Sequence, residues 1–350
     1  MKRRIEVLDY GRFFAALFVL LQHYFYNGIH NGKITSITYT PFFSNFFKLG
    51  YAGVSFFFII SGYVIFYSSL NKSASEFVKS RFLRLYPAYW MSILFSSVFL
   101  FLWSQGTSMS VSFFQFVVNL TMLQEFFGVK NIDGVYWTLF LELKFYIAVA
   151  IILFFAGSKK LILFFKCWPV LILVFHILNF EKSIFHMQFA FFSFGTLIAI
   201  YRNDKRLSSL LPLLVACILC FMQINVKATT PFESYILYGC MFVFVIFFTS
   251  LNFESVRNIK LFKSELLGAL TYPLYLIHAH FGYAFLSKFA TDNNKWILYP
   301  VLILIVLTVA YTIHLFIEKK LKSFWNSFFE KAVTPLSKLE YYFSAVKNKS

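Results

Sequence analysis

Apolar residues gather into ten runs, at 10–26, 50–70, 87–104, 135–156, 161–180, 184–201, 207–224, 232–251, 266–288 and 296–317, joined by short polar connections. Many approach the ~20 residues that a helix needs to cross a bilayer. In lipid the backbone must satisfy its own hydrogen bonds, so each run is expected as a helix. The pattern predicts an all-α, polytopic membrane bundle of about ten transmembrane helices. A further apolar stretch, 113–127, is short and broken by Gln115, Asn119, Gln124 and Glu125, which predicts a re-entrant or interfacial segment on the outer side. In the tail, Phe324, Trp325, Phe328 and Phe329 predict a helix lying on the inner leaflet. The expected organisation is a transmembrane domain over 1–322 and a cytoplasmic interfacial tail over 323–350.

Composition agrees. The chain is 59% hydrophobic and 13% charged, against roughly 25% charged in soluble domains, and its mean hydropathy is +0.69. A net charge of +17 would suggest nucleic acid for a soluble protein, but here Lys and Arg sit in the connections, where they report topology. A cytoplasmic N-terminus followed by ten crossings puts most of the 32 Lys and Arg inside. Lys33, Lys48, Lys130, Lys182, Lys227, Lys288 and Lys295 would lie outside, and Arg12, Lys144 and Lys166 within spans. Both termini are therefore expected in the cytoplasm, with membrane lipid rather than nucleic acid as the partner. Met1-Lys2-Arg3-Arg4 before an apolar run imitates a signal peptide, yet no small-residue cleavage site follows, so a retained first span is expected. Cys217 and Cys220 form a CxxC without a second pair or a nearby His, and all four cysteines lie in apolar runs. This predicts buried thiols and no metal site.

The first span carries charges that a bilayer should exclude: Asp9, Arg12 and His23. An ionised side chain at bilayer depth costs roughly 2.5–3.5 kcal/mol on insertion scales, and the default explanation is a functional site. At 100° per residue Arg12 and His23, eleven positions apart, return to nearly one face, and Asp9 and Arg12 are i, i+3 neighbours. The rise per residue sets His23 ~16 Å above Arg12. The same counting brings Ser61, Glu142 and His278 to a similar level, so four polar groups from four spans are expected to meet in the outer half to middle of the bilayer.

Six motifs occur in order along the chain. Leu8-Asp9-Tyr10-Gly11-Arg12-Phe13-Phe14-Ala15 opens an Arg12-x10-His23 spacing, followed by Gly53-Val54-Ser55-Phe56-Phe57-Phe58-Ile59-Ile60-Ser61-Gly62. Then come Arg81-Phe82-Leu83-Arg84, Trp137-Thr138-Leu139-Phe140-Leu141-Glu142-Leu143-Lys144-Phe145-Tyr146, and Phe194-Gly195. Leu267-Gly268-Ala269-Leu270-Thr271-Tyr272-Pro273-Leu274-Tyr275-Leu276-Ile277-His278 completes the set. Together they resemble membrane acyltransferase family 3, the O-acyltransferases that decorate bacterial cell-surface saccharides. Thr271 stands where that family usually has Ser, and Lys144 places a cation two residues from Glu142, ~200° away around the helix.

The resemblance implies site residues. Acyl transfer from a thioester to a hydroxyl needs a base, and histidine has the side-chain pKa nearest neutrality. His23 is implied as that base, with an acyl-histidine relay as the alternative. Glu142 and His278 complete the implied catalytic set, orienting the acceptor hydroxyl or holding the His23 tautomer; polar groups that merely join helices are the other account of them. Arg12, Arg81 and Arg84 are implied to bind acyl-CoA, whose phosphates suit guanidinium groups. Positive-inside topology would also explain Arg81 and Arg84, and a pair with Asp9 would explain Arg12. Asp9, Ser61, Trp137, Tyr272 and Tyr275 are implied as supporting residues, the aromatics stacking on a sugar ring or marking the membrane interface.

The expected function is an integral-membrane O-acyltransferase of the bacterial inner membrane, most simply an O-acetyltransferase. It would move an acyl group from cytoplasmic acetyl-CoA, or another acyl-CoA, to a hydroxyl of a saccharide or lipid-linked glycan such as lipopolysaccharide O-antigen, capsule or exopolysaccharide. No permanently bound cofactor is implied. The rival is a proton- or ion-coupled transporter that uses the buried Arg, His and Glu, although no internal repeat supports an inverted-repeat architecture. A non-catalytic scaffold in a polysaccharide export complex is a third possibility. The length leaves no room for a fused periplasmic domain, so any second transferase is expected as a separate protein.

Overall fold

The computed structural model describes residues 4–180 and 183–347, so Lys2, Arg3, Lys182 and Lys349 of the charge pattern lie outside the described residues. Those described form helices and connections, with no strand among them. Helix α1 (Glu6–Gln22) continues into a π turn at His23–Asn27. Helices α2 (Ala52–Ser69) and α3 (Ala74–Trp103) follow, then α4 (Phe113–Asn119). The seven residues of α4 span about 10 Å at ~1.5 Å per residue, too little to cross a bilayer.

Helix α5 (Tyr136–Ile177) takes in both the 135–156 and the 161–180 runs, and Gly157 parts them. Its φ of 74° and ψ of 178° belong to a region essentially confined to glycine. Next come α6 (Phe189–Asp204), α7 (Leu207–Ile224) and α8 (Pro231–Ser250). The 266–288 run divides at His278 into α9 (Ser264–Ile277) and α10 (Ala279–Phe289). Helix α11 (Lys295–Thr312) runs on through a π segment to Lys320, and α12 (Lys322–Lys347) covers the tail.

Every expected run is thus helical. Among the described residues six helices are long and apolar enough to cross a membrane: Pro41–Ser69, Ala74–Trp103, Tyr136–Ile177, Leu207–Ile224, Pro231–Ser250 and Lys295–Lys320. The chain is a multi-pass membrane protein. The other runs fall on shorter helices, α1, α6, α9 and α10, or share α5 with a neighbour.

The chain forms two compact units. Unit 1 comprises Met1–Val54, Leu85–Phe140 and Ile259–Ser323; unit 2 comprises Ser55–Arg84, Leu141–Asn258 and Phe324–Ser350. Within unit 1, a Cβ on Gly53 would stand 2.8 Å from the Ala15 carbonyl oxygen, and one on Gly50 2.7 Å from Gln22 Cβ. Small residues at such crossings let membrane helices approach closely. Gly268 does the same for α9, since a Cβ there would strike the Asp9 carboxylate on α1. Within unit 2, Gly62 of α2 rests on the Phe192 backbone and Gly195 of α6 on the Ile59 backbone. The tail helix α12 is tied to the start of α3: Glu340 accepts from the Ala74 N–H at 2.7 Å and Ser75 Oγ at 2.8 Å, and Glu330 pairs with Lys79.

Candidate functional site

In unit 1 the winding changes where the first motif ends. Helix α1 is α-helical to Gln22, and at His23 it becomes π, the Gly28 N–H donating to the His23 carbonyl. Isolated π turns in α-helices are frequent at functional sites. Two glycines bring α10 against this turn. A Cβ on Gly28 would stand 2.6 Å from the Tyr283 ring, and one on Gly282 would strike the Tyr24 ring. The Tyr283 hydroxyl consequently hydrogen-bonds His23 Nδ1 and accepts from Asn27 Nδ2 at 2.9 Å; Asn27 Nδ2 is also 3.3 Å from His23 Nδ1.

His278 stands beside this group, its ring 4.9 Å from that of His23 and edge-on at 77°. It sits at the break between α9 and α10, where its carbonyl accepts from Tyr24 Oη at 2.9 Å. Its Nδ1 lies 2.8 Å from the Tyr275 carbonyl oxygen. A carbonyl only accepts, so Nδ1 carries the hydrogen and Nε2 of the neutral ring carries the lone pair. That Nε2 is buried and has no hydrogen-bond partner among the described residues. A buried polar atom left unsatisfied costs roughly 1–3 kcal/mol, so it calls for an explanation such as an incoming donor.

Of the supporting aromatics, the Tyr275 ring lies 5.5 Å from that of His278. Tyr275 Oη is 3.1 Å from Thr138 Oγ1, and Tyr272 donates to the Leu85 carbonyl at 3.1 Å. Trp137 is half-buried. Asp9 is buried and takes Arg4 as partner, at 2.6 Å. Arg12 is half-buried further along α1. Near Asp9, Glu6 accepts from the Leu261 N–H at 2.8 Å, from Lys260 at 2.7 Å and from Ser264 at 2.9 Å. These donors, the backbone N–H foremost, hold its carboxyl down at about 2.

Unit 2 contains a second polar group. Glu142 Oε1 accepts from Ser61 Oγ at 2.8 Å and from Tyr146 Oη. The Arg81 guanidinium lies 5.6 Å from the Tyr146 ring and 5.7 Å from the Phe77 ring; Arg84 is half-buried. Arg202 donates to Tyr63 Oη at 2.8 Å and covers the Tyr67 ring at 5.5 Å. Of the four groups that depth counting drew together, the structure joins His23 to His278 in unit 1 and Ser61 to Glu142 in unit 2.

Several partners escape a reading of the sequence. Tyr283 and Asn27 lie outside the motifs, and Tyr146 lies inside one without a polar signal. Arg202 reads as one more basic loop residue. Cys220 is buried as expected, but Cys217 and Cys240 are half-buried and Cys167 is exposed, since a thiol on a lipid-facing surface loses little. Among the described residues no three His, Cys, Asp or Glu are grouped to hold a metal ion.

Comparison with known proteins follows the same line. A family described as an acyltransferase domain matches residues 5–315. Nodulation protein 10 of Rhizobium leguminosarum bv. viciae is 29% identical over 163 residues, covering 41% of this chain. The match spans 43% of that relative's length. No solved structure matches.

Proposed function

We propose, from the premise that the chain belongs to the acyltransferase domain family, that it is an integral-membrane O-acyltransferase acting on a hydroxyl of a cell-surface saccharide. The donor is cytoplasmic acyl-CoA, with acetyl as the simplest acyl group. One observation carries the assignment: His23, held through Nδ1 by Tyr283, lies against His278, whose buried Nε2 has a lone pair and no partner among the described residues.

The chemistry follows from those two rings. In the tautomer that carries its hydrogen on Nδ1, toward Tyr283 Oη, the His23 Nε2 takes the proton of the acceptor hydroxyl as that oxygen attacks the thioester carbonyl carbon. The C–S bond then breaks, and His23 returns the proton to the departing thiolate. A sugar offers neighbouring hydroxyls, and His278 Nε2 accepts from one of them, turning the reacting oxygen toward the base. Arg12, Arg81 and Arg84 serve the donor phosphates, and Glu142 stays fixed by Ser61 and Tyr146. The charge pattern supports ten crossings with both termini in the cytoplasm of a bacterial inner membrane. Acyl-CoA is a co-substrate.

The test uses membranes carrying wild type or His23→Ala, radiolabelled acetyl-CoA, and mass spectrometry of the extracted glycans. Loss of label and of the corresponding glycan mass in His23→Ala, with the size-exclusion profile unchanged, is expected. Label incorporated at the wild-type rate by His23→Ala would refute the role of His23. Solute flux without incorporation by wild type would replace the transferase with a transporter.

A further inference from the structure

Unit 1 contains a cavity of about 350 Å³, at the lower end of the ~300–1,000 Å³ typical of small-molecule sites. Its wall is formed by the connection between α3 and α4, by the first turn of α4, and by the residues just before α5. Ser108, Ser110, Gln115, Lys130, Asn131 and His280 supply its polar groups. We propose that this cavity is the docking site for the acceptor saccharide, a ring with several neutral hydroxyls. The inference deepens the transferase assignment and rests on it for the word acceptor.

Three features lead to that ligand. The wall presents hydroxyls and carboxamides, which both donate and accept, as the hydroxyls of a sugar do. Lys130 is the one cation among the lining residues, a poor match to the several phosphates of a CoA, and few apolar groups are available for an acyl chain. The wall is also rigid. Ser112 Oγ accepts from the Gln115 N–H at 3.1 Å, Gln115 Nε2 donates to the Lys130 carbonyl at 3.2 Å, and Asn119 Nδ2 donates to the same carbonyl at 3.0 Å. A preformed wall spares the ordering cost of binding.

The floor leads to the reacting imidazole. His280 Nδ1 donates to the Ile132 carbonyl at 2.7 Å, so its Nε2 accepts from the Lys33 ammonium at 2.8 Å. Its backbone N–H donates to the buried Asp133 carboxylate at 2.8 Å. The His280 ring lies 5.8 Å from the Tyr283 ring, and Tyr283 bonds His23. A saccharide unit seated on His280 is thus one tyrosine from the base, and the hydroxyl on which His23 and His278 act belongs to the adjoining unit of the same acceptor.

Saturation-transfer NMR on the full chain in nanodiscs tests this, with oligosaccharide released from the glycan of cells that lack the gene. Ser110→Trp and Ser108→Trp each place an indole in the cavity from an exposed position, so the fold should persist, as thermal unfolding will report. Both variants are expected to lose the saccharide signal and raise the acceptor KM at least tenfold. Equal saccharide signals in wild type and both folded variants would overturn the proposal. Binding is read without turnover, so a wild type that binds the saccharide in this cavity but fails to acylate it would sink the transferase assignment and leave the cavity intact.

Discussion

Tyr283→Phe removes one oxygen from a buried position and leaves the ring in place. Tyr283 is 1% exposed, so phenylalanine fills the same volume, and the change is confined to the bonds with His23 Nδ1 and Asn27 Nδ2. Losing a buried partner costs about 1–3 kcal/mol. Felt wholly in the transition state, that is a fall of roughly 5- to 150-fold in kcat at 1.36 kcal/mol per decade. The ring of His23 can then turn, and its hydrogen can move to Nε2, which removes the base. Donor binding does not involve Tyr283, so the acyl-CoA KM should hold. The assay is transfer of labelled acetyl to deacylated glycan at saturating acyl-CoA, with thermal unfolding as a control for folding. A kcat within twofold of wild type in a variant that melts normally would show that Tyr283 packs against His23 without steering it.

Two further outcomes follow from packing and charge. Gly195→Ala puts a Cβ 2.9 Å from the Ile59 carbonyl carbon and the Tyr63 nitrogen, and overpacking of this kind costs about 1–3 kcal/mol; its melting temperature should drop, whereas Gly239→Ala, with nothing within 4 Å of the added carbon, should melt as wild type. Glu6 has its folded carboxyl pKa lowered from 4.5 to about 2, so its contribution to stability is present above 4.5 and is lost as pH falls toward 2. Thermal unfolding across that window should show an acid-labile component that Glu6→Gln lacks, and identical acid profiles would remove Glu6 from the account.

The helical class was legible because lipid allows few alternatives: an apolar run must satisfy its own backbone, and the runs are helical. The separation of the 135–156 and 161–180 runs was legible from Lys159 and Lys160 between them, whereas the turn at Gly157 that parts them emerged only in the structure. The motif glycines were legible as residues, but that Gly62 and Gly195 meet each other's helices is a fact of packing. His23 was legible as a charge out of place, and Ser61, Glu142 and His278 as polar groups at matching depth.

What surrounds them was not, and the reason is distance along the chain. The π turn at His23, its bond to Tyr283 and the Lys33–His280–Asp133 floor each depend on where a distant segment lies. His280 and Tyr283 follow the last motif in an apolar helix with no periodicity of their own to mark them. The sequence by itself determined that the chain is a helical, multi-pass membrane protein of the acyltransferase family and which polar side chains lie within its apolar runs. The tertiary structure alone decided how the His23 imidazole is held, because its bond to Tyr283 joins residues 260 positions apart, and a hydrogen bond is fixed within a few tenths of an ångström.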